Sequence, residues 1–280
     1  MPYAHKYKGG RFETGDIHVV EEMPLALMVN GVELATLMAT PTQLDALVLG
    51  FLYFERIITD IGQVKSIDVD LEDATADVEL HVPFRRPTRR VITTGCTGGV
   101  SFHLGMTDYP PVRSDARLKP ETVQRLIRAL YASAGLYRRS RGIHAAALAD
   151  THPADPEALL VTAEDVGRHN AVDKIQGEAL ARGIPTKDRV LVSTGRISSE
   201  MLRKGARMLT PFIISRTSPT SLAVEMAKRI GITLIGYVCN QAFNVYSHPH
   251  RIDYRRSEGK KISVRVIDAG ENGGADRRGG

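Results

Sequence analysis

The chain is short of the residues that usually announce a function. Tryptophan is absent, and cysteine occurs only twice in 280 residues, at Cys96 and Cys239. Two cysteines so far apart make a poor disulfide framework and place the chain in a reducing cytoplasm. No Cys-x-x-Cys occurs anywhere, and Ala146 stands where a zinc deaminase would need a glutamate after His144. A catalytic zinc of that type is excluded. The N-terminus MPYAHKYKGGRFETGD has no apolar h-region, so no signal peptide is read. The longest apolar run, ALVLGFLYF from Ala46 to Phe54, is too short to cross a bilayer and reads as a buried helix. Helix-turn-helix, zinc-finger and RNP patterns are missing, which argues against nucleic acid. So are the P-loop and G-x-G-x-x-G, and no internal repeat is found.

What remains is an ordinary globular composition, 42% hydrophobic and 25% charged, with a net charge of +5. That balance favours anionic partners. The apolar runs either side of Asn30-Gly31 predict a hairpin over 19–38. Thr40-Pro-Thr-Gln43 predicts a helix start with threonine at the N-cap, followed by Leu44, Leu47, Val48 and Phe51 on one face. A second hairpin is expected over 64–82, turning near Glu72-Asp73-Ala74. Lys119-Pro120-Glu121 opens a helix carrying Val123, Leu126, Ile127, Leu130 and Ala134. Thereafter strands and helices alternate: strands at 143–148, 158–162, 189–193, 212–215 and 232–238, and helices at 170–182, 198–209 and from Ser218-Pro219 to Gly231. Such alternation predicts an α/β domain with a largely parallel sheet. The chain thus divides into a strand-rich part over 1–115, an α/β core over 116–268 and a disordered tail over 269–280, which has no apolar content.

Ligands of α/β domains collect where strands end and helices begin. Two such junctions are rich here. Glu164-Asp-Val-Gly-Arg-His-Asn-Ala-Val-Asp173-Lys174 places Arg168, His169 and Asn170 at a helix start. Ser193-Thr-Gly-Arg-Ile-Ser-Ser-Glu200 runs a strand into Arg196, Ser198 and Ser199. Helix capping, with Ser198 or Ser199 as N-cap, accounts for either junction alone. Both together, in a basic chain, point to a phosphate seat. His144, opening an apolar strand, reads first as a core residue and second as a catalytic histidine. His248 and His250 are candidates for weak metal contact.

Cys96 lies in TTGCTGG, Thr93 to Gly99, with nothing apolar to pack against and with Arg89 and Arg90 just upstream. Nearby cations and free backbone N–H groups lower a thiol pKa and favour the thiolate. A glycine-rich loop would let that thiolate travel between reaction partners. Cys239, following Ile235 to Val238, reads as core or pocket wall.

Five stretches, LGFLYFERII, GIHAAAL, EDVGRHNAVDKIQG, GRISSEMLRKGARM and FNVYSHPHRI, together resemble the formate dehydrogenase accessory sulfurtransferase family, FdhD, from about Glu21 to Ile252. The resemblance implies a cytidine-deaminase-like core with a mixed sheet and flanking helices, without the zinc chemistry. It implies a persulfide on a mobile-loop cysteine, here Cys96, loaded by a cysteine desulfurase. It further implies transfer of that sulfur to the molybdenum or tungsten of a bis-molybdopterin guanine dinucleotide cofactor, a bound substrate that formate dehydrogenase then receives. The family's cofactor segment falls on Tyr237, Val238, Cys239, Asn240, Gln241 and Ala242, and the two phosphate junctions suit the pyrophosphates. The family's loop motif is Cys-x-x-Cys, and its fourth position is Gly99 here, which rules out an intraloop disulfide. That departure keeps a second reading open, a chaperone that binds and delivers the cofactor without sulfur chemistry. A homodimer is the default assembly.

Overall fold

The computed structural model of the chain describes residues 3–87, 91–92, 100–101, 109, 111–151, 159–254 and 263–266. Cys96 and the rest of 93–99, Arg89, Arg90 and the expected tail 269–280 lie outside the described residues.

The chain opens with a two-stranded hairpin, β1 (Tyr3–Lys8) and β2 (Arg11–Asp16). A four-stranded sheet follows, made of β3 (Met23–Val29), β4 (Val32–Ala39), β5 (Val64–Asp70) and β6 (Thr75–Leu80) in the order β4-β3-β6-β5. The expected turn at Asn30-Gly31 forms, both residues having positive φ, at 47° and 74°. Helix α1 (Leu44–Phe54) covers this sheet. It starts later than Thr40-Pro-Thr-Gln43 predicts: Gln43 occupies the N-cap position in a left-handed conformation without a side-chain cap. Thr40 is spent elsewhere, its N–H on Asp165, its hydroxyl on the Val166 N–H and its carbonyl on Lys174. Short strands β7 (Val91–Ile92) and β8 (Val100–Ser101) pair antiparallel and so hold the two ends of the segment that carries Cys96.

The second part contains α2 (Pro120–Ser133), α3 (Gly135–Ser140), β9 (His144–Ala149), β10 (Leu159–Asp165), α4 (Arg168–Ala181), β11 (Val190–Ser193), α5 (Ser199–Arg207), β12 (Phe212–Ser215), α6 (Ser221–Ile230), β13 (Thr233–Cys239), β14 (Ala242–Val245) and β15 (Ser263–Val266). Seven strands form one sheet ordered β10-β9-β11-β12-β13-β14-β15. The sheet is mixed rather than largely parallel. The pairs β11–β12, β12–β13 and β14–β15 are parallel, whereas β9–β10, β9–β11 and β13–β14 are antiparallel. The reason lies in the connections. A parallel neighbour needs a crossover, which α5 and α6 supply, whereas only Asn240 and Gln241 separate β13 from β14, too few for anything but a turn back. Side chains alternate between two apolar layers. Ala146, Leu148, Leu191 and Ile213 pack with α4, α5 and α6, while Ala145, Ala147, Val190 and Phe212 pack with α2.

Helix α1 is buried nearly all round, because one side faces the four-stranded sheet and another faces α4. Two glycines make that crossing close. A Cβ on Gly50 would stand 1.8 Å from the Asp173 carbonyl oxygen, and one on Gly177 would stand 1.9 Å from that of Ala46. Backbone meets backbone where any side chain would be a clash.

Candidate functional site

The parallel strands β11 and β12 end together at Ser193 and Ser215. At the same edge antiparallel β9 begins at His144 and β10 ends at Asp165. Helices α4, α5 and α6 start just beyond, so their free N–H groups and positive dipole ends gather along one side of the sheet. The two junctions singled out in the sequence are therefore neighbours in space.

Beneath them lies a buried polar frame. Lys174 and Asp165, neither with any side-chain exposure, form an ion pair of 2.6 Å. The Lys174 ammonium also donates to the carbonyls of Thr40 and Glu164 at 3.1 Å. The Asp165 carboxylate accepts from the N–H groups of Thr40 and Gly167 and from the Asn170 amide. Asn170 donates as well to the Met38 carbonyl at 2.7 Å. Expected as a ligand residue, Asn170 instead spends its amide donors tying the four-stranded sheet to the start of α4. Glu164 is likewise structural, accepting from the N–H groups of Leu136 and Tyr137.

Above this frame the charge is positive. Arg168 opens α4 and is 7% exposed, yet its guanidinium has no hydrogen-bond or ion-pair partner among the described residues, and its buried Nε is unsatisfied. Burying a cation without a partner is costly, which makes Arg168 a seat for an anion the protein does not itself supply. The backbone of Gly195 lies against its stem: a Cβ there would come within 2.9 Å of the Arg168 Cβ and 3.3 Å of the His144 Nδ1. His144, read first as core, thus stands at this edge beside Arg168. Burial, then Arg168 and Arg196, holds its imidazole below the usual histidine range. Arg196 itself is exposed at the rim.

His169 follows Arg168 and points at the second junction. Its Nε2 lies 3.2 Å from a Glu200 carboxylate oxygen and 3.4 Å from the Ser198 hydroxyl. Burial, reinforced by Lys204 and Arg168, pushes its pKa down to about 2, so the ring is neutral at pH 7. The contact with Glu200 is then a hydrogen bond donated by a neutral Nε2–H, which leaves Nδ1 without a proton. Of the two serines, Ser198 is the N-cap of α5, accepting from the Met201 N–H, and Ser199 is the first helical residue. Lys204 pairs with the buried Asp173, whose carboxyl burial pushes up to about 7.

The third expected segment joins from the side. Tyr237, with φ 53°, is half-exposed in a bulge of β13, and its N–H donates to the Thr217 carbonyl. The 195–198 loop contacts the same neighbour, with the Ile197 N–H on the Ser218 carbonyl. Cys239, Asn240, Gln241 and Ala242 are exposed along the hairpin between β13 and β14. Cys239 is thus neither core nor a buried wall, since the bulge turns it outward. Val238 is the core residue of this stretch, 2% exposed beneath α2. His248 is occupied by the last turn of α6, its Nε2 against the carbonyls of Ala227 and Lys228. Among the described residues no group of three or more His, Cys, Asp or Glu side chains could hold a metal ion. No helix among them is long and apolar enough to cross a membrane.

Sequence reading missed Arg203, 8% exposed on α5 and without a hydrogen-bond or ion-pair partner among the described residues. Its field adds to those of Lys204, Arg168 and His144 at His169. The signal was present in GRISSEMLRKGARM, where Arg203 follows Ser199 by one helical turn and so sits on the same face.

Comparison with known proteins agrees with this architecture. The model of the FdhD/NarQ family matches residues 20–253. The sulfur carrier protein FdhD of Bacillus pumilus (strain SAFR-032) is 38% identical over 255 residues, covering 89% of this chain and 95% of that protein. Its namesake in Bacillus subtilis (strain 168) is 37% identical over 254 residues, covering 86% and 95%. A crystal structure of a proposed formate dehydrogenase accessory protein from Desulfotalea psychrophila superposes with a TM-score of 0.75 at 29% identity, covering 90% of this chain and 98% of that one. With the family model matching residues 20–253 and relatives 37–38% identical over most of its length, this chain belongs to the FdhD/NarQ family.

Proposed function

We propose that this protein is a cytoplasmic sulfur carrier that serves formate dehydrogenase. The class of activity is supported by the relatives, which are named sulfur carrier proteins, and by the related accessory protein. The Cys96 thiolate attacks the terminal sulfur of a persulfide held by a cysteine desulfurase. One S–S bond forms as another breaks, the desulfurase cysteine leaves as a thiolate, and no net redox change occurs. The terminal sulfur then goes to the molybdenum or tungsten of a bound bis-molybdopterin guanine dinucleotide, with two electrons supplied by the metal, and Cys96 returns as a thiolate. On this reading the cofactor is cargo, and the protein's own part is to seat it.

The observation that carries the seat is Arg168, buried and without a partner among the described residues where three helices begin. Together with Arg196 and the N–H groups at the starts of α4 and α5, it suits a pyrophosphate. Tyr237 and the exposed hairpin residues to Ala242 would then flank the rest of the nucleotide. The test is the intact mass of the protein after incubation with a cysteine desulfurase and cysteine. A gain of one sulfur, removed by reductant and absent from Cys96→Ala, is the expected result. No gain in either protein refutes the carrier and leaves the cofactor chaperone, which Gly99 in place of a second loop cysteine already favours as the next reading.

A further inference from the structure

The positive charge of the chain is unevenly spread. Residues 122–149 hold five arginines and no aspartate or glutamate. Three of the five, Arg138, Arg139 and Arg141, cluster on and just after α3, and the fold brings Arg216 to them from the end of β12. Two rings hold this group together. Tyr131 near the end of α2 and Tyr137 on α3 meet edge to face, their centroids 5.2 Å apart. The Arg141 guanidinium lies 5.4 Å from the Tyr137 centroid, and that of Arg216 lies 5.3 Å from the Tyr131 centroid. A stacked guanidinium gives up freedom before any partner arrives, yet keeps its in-plane N–H donors.

None of these four guanidiniums has an ion pair or hydrogen bond among the described residues. Arg139, Arg141 and Arg216 are exposed, and Arg138 is half-buried. Glu164, the acid packed against the start of α3, is turned inward, its two carboxylate oxygens accepting from the N–H groups of Leu136 and Tyr137. Gathered cations without a counter-charge favour an anionic partner. One face of each ring is already covered by a guanidinium, so the surface offers N–H donors outward rather than a stacking platform. Such donors match carboxylates in pairs. The surface also adjoins the seat. Arg216 follows Ser215, where β12 ends beside the Arg168 junction, and the Thr217 carbonyl accepts from the Tyr237 N–H. A protein that takes the cargo must reach this edge, whereas a sulfur donor has only to reach Cys96.

We propose that Arg138, Arg141 and Arg216, held by Tyr131 and Tyr137, form the docking surface for an acidic segment of the recipient enzyme, formate dehydrogenase. The proposal rests on the cargo reading above. Carboxylates of that segment pair with the stacked guanidiniums of Arg141 and Arg216 and set the recipient over the seat. Because these pairs are exposed, they steer and orient the partner, and salt weakens them.

The experiment measures binding of the full chain to purified formate dehydrogenase freed of its cofactor, by biolayer interferometry at low and high salt. The wild type is expected to bind, and to bind less tightly as salt rises. Arg141→Glu/Arg216→Glu is expected to bind about 10–100-fold more weakly. Its melting temperature, its sulfur loading by the desulfurase and its affinity for guanosine diphosphate are expected to match wild type. Arg141→Lys/Arg216→Lys keeps the charge and is expected to recover most of the lost affinity. A wild type that does not bind overturns the proposal, as does a Glu variant that binds like wild type or a Lys variant as weak as the Glu one. Loss of sulfur loading instead of enzyme binding moves the surface to the donor, and loss of guanosine diphosphate binding moves it to the cargo. Either overturns the proposal too. A wild type that binds the enzyme but gains no sulfur refutes the carrier reading and leaves the docking surface standing.

Discussion

Replacing Lys174 by methionine tests how the buried frame supports the site. The substitution keeps the length of the side chain but removes the ammonium that pairs with Asp165 at 2.6 Å and donates to the carbonyls of Thr40 and Glu164. The Asp165 carboxylate, with no exposure, would be left as an uncompensated buried charge. Breaking a buried pair in this way costs about 3–5 kcal/mol, a large part of the ~5–15 kcal/mol that holds a typical domain folded. At ~2–4 °C per kcal/mol for a chain of this size, the melting temperature should fall by about 6–20 °C. Two further measurements separate the charge from the lost packing. Adding Asp165→Asn to Lys174→Met should recover about 2 kcal/mol, because a neutral amide replaces the stranded charge. The deficit of Lys174→Met alone should also shrink as pH falls and the stranded carboxylate takes up a proton. Denaturant unfolding of wild type, the single variant and the double variant at neutral and mildly acid pH gives these values. A Lys174→Met variant within 1 kcal/mol of wild type, or no recovery in the double variant, would refute the reasoning.

Gly177→Ala should cost at least ~3 kcal/mol, since its Cβ would meet the Ala46 carbonyl oxygen at 1.9 Å and neither backbone can move alone; chemical denaturation checks it. Arg168→Gln should leave the fold intact yet weaken binding of guanosine diphosphate by about 10–100-fold, the loss of one charge-assisted contact, as read by calorimetry. Ser198→Ala should cost about 1 kcal/mol through the lost cap of α5, read by the same unfolding assay. His169 is neutral in the folded state and charges in the unfolded one, so it contributes stability above pH 6.5 that is lost as pH falls toward 2. Asp173, whose pKa burial raises to about 7, works the other way and stabilises at low pH. Comparing His169→Gln with wild type isolates the first effect. Between pH 6.5 and 5 the variant should lose about 2 kcal/mol less than wild type, at ~1.4 kcal/mol per pH unit.

Much of the secondary structure was legible because its causes are local. Asn30-Gly31 can only turn, Gly231 ends a helix at φ 83°, and the spacing of Val123, Leu126, Ile127 and Leu130 makes one apolar face whatever it packs on. The strand-to-helix pattern singled out both junctions as phosphate seats, and the fold brings them together along one sheet edge. What the sequence did not reveal is where each polar group spends its hydrogen bonds. Thr40 has the chemistry of an N-cap and Asn170 that of a ligand residue, yet Asp165 and Lys174, more than a hundred residues beyond Thr40, draw both into a buried frame. Strand direction followed the same rule. Alternation announced crossovers, but the two residues between β13 and β14 only allow the chain to turn back, and the sheet became mixed. Composition and local pattern thus determined the elements and the positive charge of this protein. Only tertiary structure decided which cations have partners, and Arg168 has none among the described residues, because partnership is a matter of distance in space and not of order along the chain.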